Sequence, residues 1–124
     1  ALIQANAERL GVAATVVLEM DAVELLSAPL PESLQHPDRI LLGGGGADRA
    51  GLLRAVLERL APGGTVVIPL VTLEAVATLR PVLEQAGLGV QLNQLQAWRG
   101  QPLSDGTRLT PMNPVLSLKG TKSQ

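Results

Sequence analysis

The chain has 124 residues, with ten Lys and Arg against eleven Asp and Glu, one His and no Cys. That length holds one domain with one core. The near-neutral charge argues against a nucleic-acid protein, which carries a basic surplus, and the lack of Cys removes disulfides, thiolate metal sites and Cys nucleophiles together.

One Trp with no Phe or Tyr leaves a core of Leu, Val, Ile and Ala and excludes a base-stacking platform. A single His gives no basis for a His-based metal site, and no metal is expected. No apolar run reaches the roughly 18 residues of a membrane helix, so no membrane partner is expected. The start, ALIQANAERLG, has neither a signal-peptide pattern nor an initiator Met, which fits a processed or truncated chain. The Cys-free composition fits a reducing compartment, and a cytoplasmic location is expected.

In chain order, Leu2, Ile3, Ala7 and Leu10 recur at helical spacing before Gly11. Residues 14–20, ATVVLEM, form a β-branched run of strand length. Asp21 is placed to cap a short helix over AVELLSA, which Pro29 and Pro31 end. Arg39 to Leu42 read as a second short strand running into Gly43–Gly46.

The clearest helix follows: Leu52, Leu53, Val56, Leu57 and Leu60 share one face, Arg49, Arg54, Glu58 and Arg59 look away, and Pro62-Gly63-Gly64 closes it. Residues 65–71, TVVIPLV, read as a strand covered on both faces, with Pro69 leading its last part out of the ladder. Thr72 can cap the next helix, in which Pro81 predicts a kink or break near Arg80.

GVQLNQLQAWRG then alternates, with a slip between Leu92 and Leu95 that suggests a bulge. QPLSDGTRL reads as a turn-rich loop. NPVLSLKG is a last strand, paired antiparallel with the alternating one, and residues 119–124 are expected to be a flexible tail. Strands alternating with helices imply an α/β fold with a mostly parallel sheet and right-handed crossovers, to which the final pair adds an antiparallel edge.

A strand, then glycines, then a helix is where α/β folds bind ligands. Two motifs fail there. No Lys-Ser/Thr follows the glycines, as a phosphate loop requires. After Gly43 and Gly45, Asp48 stands where the dinucleotide fingerprint needs its third glycine. The run still removes four side chains in a row, so it is either a seat for a broad, flat ligand or a slack connector.

MDAVELL after the first strand, DRILLGGGG, LAPGGTVVIPLVTLE and WRGQPLSDGTRLTPMNPV together resemble the decarboxylating precorrin-6Y methyltransferases of cobalamin biosynthesis. The closing Arg-Gly, Gly-Thr and Asn-Pro-Val stretch is the most specific part; LAPGG before a strand is shared by many S-adenosylmethionine (SAM) enzymes. The resemblance spans Leu2 to about Leu118. It implies a Rossmann-like class I SAM methyltransferase sheet lacking its first two strands, with residues 1–118 as a partial domain. The family's acidic-Gly-x-Gly loop and its ribose-binding acid are not in this sequence, so the chain alone is expected to bind SAM weakly or not at all. In the family those two strands lie between the ones read here at residues 14–20 and 39–42. The chain would therefore repack, borrow strands by oligomerising, or form the C-terminal part of a longer product.

The resemblance implies SAM as cofactor and a tetrapyrrole (precorrin) as substrate, methylated on the ring and losing the carboxyl of an acetate side chain as CO2. Asp21 and Ala22 would meet the adenine end of SAM; Asp21 also reads as a plain helix cap. Gly43 and Gly44 would lie near the methionine end, and Gly45 and Gly46 would make room for the macrocycle. Thr72 and Glu74 would face the tetrapyrrole, or simply cap and charge a helix start. Arg99 would pair with a substrate carboxylate, or stand as a solvated strand-end charge.

His36 reads as surface, and Trp98 as a packing or interface residue. No catalytic base is nominated, because a sulfonium methyl is already activated and positioning supplies much of the rate. Family members of this type assemble as tetramers, so a homo-oligomer is expected. The competing readings are a non-catalytic Rossmann-like assembly module and a nucleotide-binding oxidoreductase, the latter weakened by both failed fingerprints.

Overall fold

The computed structural model describes residues 2–12, 21, 22, 24, 30–43 and 48–124. The strand expected at residues 14–20, most of the short helix after it, and Gly44, Gly45 and Gly46 lie outside the described residues.

Helix α1 (Leu2–Leu10) forms where the spacing predicts but buries none of its residues. A 3-10 turn, Glu32–Leu34, leads to β1 (Arg39–Leu41). Helix α2 (Arg49–Arg59) is capped by Asp48, whose carboxylate accepts from the Gly51 amide at 2.9 Å. Strand β2 (Thr65–Leu70) follows, then α3 (Leu73–Gln85), β3 (Gly89–Leu95), β4 (Trp98–Leu103), β5 (Gly106–Pro111) and β6 (Val115–Thr121).

One sheet runs β1-β2-β6-β3, and β4-β5 form a separate hairpin. β1 and β2 are parallel, Arg39 opposite Thr65. β6 is antiparallel to both β2 and β3, with Leu118 opposite Ile68 on one side and Leu92 on the other. The expected class is therefore observed, and the last strand pairs antiparallel with the alternating one while inserting between it and β2. Among the described residues β1 has a neighbour on one side only.

The core lies where α2 and α3 pack on one face of this sheet. Val66, Ile68 and Leu70 alternate inward from β2, meeting Leu53, Val56 and Leu57 of α2 and Val76, Leu79, Val82 and Leu83 of α3. Leu118 of β6 is fully buried at the centre. Each fully buried Leu contributes roughly 1.5–3 kcal/mol of transfer free energy. On the opposite face of β2, Val67 is half-buried and Pro69 exposed, so the double covering expected of this strand is not complete.

Four local expectations are corrected. Pro69 stays in the ladder, opposite Ser117. The Leu42 amide donates to the Val67 carbonyl, so Val67 and Pro69 turn their backbone polar groups toward β1. That strand has ended by Leu41, and the N–H that Pro lacks has no ladder partner to miss. Helix α3 runs unbroken through Pro81; Pro81 and Ala77, whose carbonyl loses its helical donor, both lie on the exposed side, where water can replace the bond. β3 contains no bulge, since its register with β6 is continuous from Gly89 to Leu95. The apparent slip arises because Leu92 and Leu95 point to opposite faces of an edge strand. The loop expected over QPLSDGTRL is most of hairpin β4-β5, closed by the Leu103–Gly106 pair.

β6 extends to Thr121. Beyond it the Lys122 amide donates to the Gly64 carbonyl, and its ammonium donates to the Leu60 carbonyl at 2.8 Å, closing the C-terminal end of α2. Gly120 lets α3 approach the sheet: a Cβ there would lie 3.0 Å from methyl carbons of both Leu83 and Leu88. Gly120→Val is expected to cost roughly 1–3 kcal/mol by overpacking, read as a lower midpoint in urea unfolding at unchanged slope.

Candidate functional site

Strand direction decides which residues can form a site. β1 and β2 are parallel, and β3 is parallel to them because β6 opposes both. Leu41, Leu70 and Leu95 therefore end at one edge of the sheet. From it emerge the start of the glycine run, the entry to α3, and the hairpin root. Open α/β sheets bind ligands at this carboxyl edge.

Gly43 is exposed, and a Cβ added to it would meet no atom of the described residues within 4 Å. Its φ is not positive, unlike those of Gly11, Gly63 and Gly87. Neither its backbone conformation nor its packing against the described residues requires a glycine at position 43.

Thr72 precedes α3, and its hydroxyl oxygen accepts from the Ala75 amide at 3.1 Å, so it caps that helix. Glu74 lies exposed in the first turn, where its charge complements the helix N-terminus. Asp21 accepts from the Glu24 amide at 3.4 Å in a capping arrangement, and both Asp21 and Ala22 are exposed.

Three residues singled out by sequence, Gly43, Thr72 and Glu74, thus sit at one edge, whereas Arg99 stands on the hairpin that leaves the same edge from β3, at the far side of the sheet from β1. Sequence reasoning missed the apolar apron there. Leu41 is 75% exposed, Val71 77% and Leu73 71%. Large side chains so bare, at strand ends, mark a contact surface. Patterning hides them, because each adjoins a run whose other apolar residues are buried.

The hairpin root is tied at this edge: the Met112 amide donates to the Ala97 carbonyl at 2.8 Å, and the Gln96 side-chain amide donates to the Met112 carbonyl. Register divides the hairpin into two faces. Trp98 opposes Pro111, and Gly100 opposes Leu109, on an apolar side; Arg99 opposes Thr110, and Gln101 opposes Arg108, on a polar side. The Thr110 hydroxyl donates to the Gln101 amide oxygen at 3.0 Å. A cleft of about 340 Å³ between Arg54, Leu57, Val82, Leu88 and Lys122 opens at the opposite end of the sheet, where α2 and α3 finish, and belongs to a different surface. Among the described residues no group of acids and His could hold a metal, and no helix is long and apolar enough to cross a membrane.

A sheet of parallel strands with the last strand inserted antiparallel, and with residues gathered at the carboxyl edge, is that of the class I SAM methyltransferases. The solved structure of a SAM-dependent O-methyltransferase from Thermotoga maritima shares this fold, with a TM-score of 0.70 over 99% of this chain and 45% of that one at 17% identity. More narrowly, residues 1–122 match the model of the precorrin methyltransferase domain, and the chain belongs to that family.

A Pyrobaculum aerophilum protein named as a probable cobalt-precorrin-6B C(15)-methyltransferase (decarboxylating) is 39% identical over 111 residues, which is 89% of this chain and 54% of the relative. The crystal structure of a precorrin-6y C5,15-methyltransferase from Geobacter metallireducens superposes with a TM-score of 0.82 at 27% identity, over 97% of this chain and 61% of that one. The chain therefore spans about half to three fifths of the length of these relatives.

Because no described residue fills the space beside Gly43, Gly43→Val is expected to leave the stability within about 0.5 kcal/mol of the parent. In the methyl-transfer assay described next, the same substitution is expected to lower turnover at least 10-fold if ligand lies against that backbone. Parental turnover would make the glycine run a connector.

Proposed function

We propose that this chain supplies the C-terminal part of a cytoplasmic SAM-dependent enzyme of cobalamin biosynthesis, which methylates and decarboxylates a precorrin-6 tetrapyrrole. The family match across residues 1–122 carries this reading. The carboxyl edge supports it, since Gly43 offers bare main chain, and Leu41, Val71 and Leu73 offer exposed apolar surface, where a flat macrocycle needs both.

The described residues fit part of the cofactor. SAM, when bound, supplies a methyl group already activated as a sulfonium. Asp21 presents an exposed carboxylate able to accept from an adenine amine, Ala22 lies exposed beside it, and Gly43 leaves room at the methionine end. Gly44 would continue that room, with Gly45 and Gly46 opening it toward the macrocycle. Thr72 and Glu74 flank the substrate while capping and charging α3, and Arg99 pairs with a substrate carboxylate. The chain's contribution to rate is orientation and exclusion of water at this edge; no side chain is assigned as a base.

We further infer a homo-oligomer, tetrameric as in the family, joined through the hairpin. A two-stranded hairpin is marginal alone in water, and here Trp98 and Leu109 are 56% and 67% exposed on its apolar face. Leu109→Arg is expected to reduce the particle mass measured by light scattering to that of a smaller species while circular dichroism stays native; an unchanged mass overturns the hairpin interface.

The function is tested on the full-length protein with methyl-labelled SAM and a precorrin-6 substrate. Label is expected in the ring together with release of CO2. A folded, SAM-binding protein that transfers no label would instead favour a non-catalytic assembly module.

A further inference from the structure

Arg108 was not among the residues that sequence singled out, and the hairpin register places it. Gln101 stands opposite Arg108 and Arg99 opposite Thr110, so Arg99 and Arg108 share the polar face as a diagonal cross-strand pair, a separation of about 7–8 Å between backbones. Both are exposed, and neither guanidinium has an ion-pair or hydrogen-bond partner among the described residues. Asp105, the one acid in the hairpin, sits in the turn between the strands, two pairs beyond Arg108 and away from the root. The hydrogen-bonded Gln101 and Thr110 occupy the other diagonal, so the two guanidinium groups flank that pair and present like charge to any anion lying over it. The hairpin rises from the carboxyl end of β3, three strand positions from β1 in the sheet, or about 14 Å at the usual strand spacing, so a ligand reaching from Gly43 to this cationic face has to span the width of the sheet.

We propose that Arg108 acts with Arg99 as a carboxylate-binding pair on the polar face of hairpin β4-β5, gripping acidic side chains of the tetrapyrrole substrate. This rests on the tetrapyrrole reading given above. It divides the labour of the hairpin: the apolar face joins subunits, and the guanidinium face orients the macrocycle. Arg suits the task because its planar fork meets a carboxylate with two parallel bonds. The pair touches only the rim of the substrate, so it governs binding and register on the edge rather than chemistry at the methyl.

The test uses uroporphyrin, a tetrapyrrole with a carboxylate on every peripheral side chain, titrated into the chain. Trp98 is the only Trp, with no Tyr present, and it begins β4, so quenching of its emission reports binding at the hairpin itself. Arg108→Ala is expected to weaken binding roughly 10-fold, the loss of one charge-assisted bond. Arg108→Lys is expected to keep part of the affinity. The Arg99→Ala, Arg108→Ala double variant should lose less than the product of the single losses, as for residues sharing one ligand. Arg54→Ala, at the opposite end of the sheet, is expected to bind as the parent does. Parental binding by Arg108→Ala overturns the pair and leaves the tetrapyrrole reading standing. Equal weakening by Arg54→Ala also overturns the pair, reducing it to net charge. A parent chain that does not bind uroporphyrin overturns both.

Discussion

Strand β6 sets the geometry of everything functional in this chain. It lies antiparallel between two strands that run the other way, and its ladder to each is continuous from end to end. Leu118 anchors it at the centre with no solvent exposure. Because side chains alternate with a period of two, a slip of one residue would turn Leu118 outward and push Lys119 into the core. Register is therefore held by burial, and with it the directions of β1, β2 and β3. Those directions bring Gly43, the start of α3 and the hairpin root to a single edge. The candidate site draws on residues far apart in sequence, and they share an edge because this one strand is threaded where it is.

The elements most legible in the sequence were those with long periodic patterns. The stripe of Leu53, Val56, Leu57 and Leu60 gave helix α2 and its buried face together, and the β-branched run from Thr65 gave β2. Less legible were positions where one residue type serves two purposes. Pro69 and Pro81 break elements by rule, yet Pro69 turns its missing N–H to a side with no ladder partner, and the Ala77 carbonyl that Pro81 leaves without a donor lies where water can reach it. The hairpin was hidden for another reason. Its Gly, Pro, Ser and Asp residues read as loop, whereas the information that makes it two strands is the cross-strand pairing of Trp98 with Pro111 and Arg99 with Thr110, which no local window contains.

The candidate site shows the same division. Gly43 stood out because the order of elements points to strand ends, and Thr72 and Glu74 through the family resemblance. The exposed Leu41, Val71 and Leu73 did not, since hydropathy cannot tell an apolar residue that goes inside from one that stops just short of it. Thr72 illustrates how the structure adds to a sequence reading. One lone pair of its oxygen is engaged with the Ala75 amide, so any part it takes with a ligand falls to the hydroxyl proton, the second lone pair or the methyl group.

The order of the strands has a bearing on how the molecule comes into being. β3 leaves the ribosome with its neighbour unmade, because the segment that will separate it from β2 is encoded after the hairpin. Until then two open edges face each other across a vacant slot, and loop closure must be completed before the central contacts form. A released chain whose β6 has not yet docked exposes the pairing edges of β2 and β3, so the speed with which the last strand inserts becomes a determinant of yield.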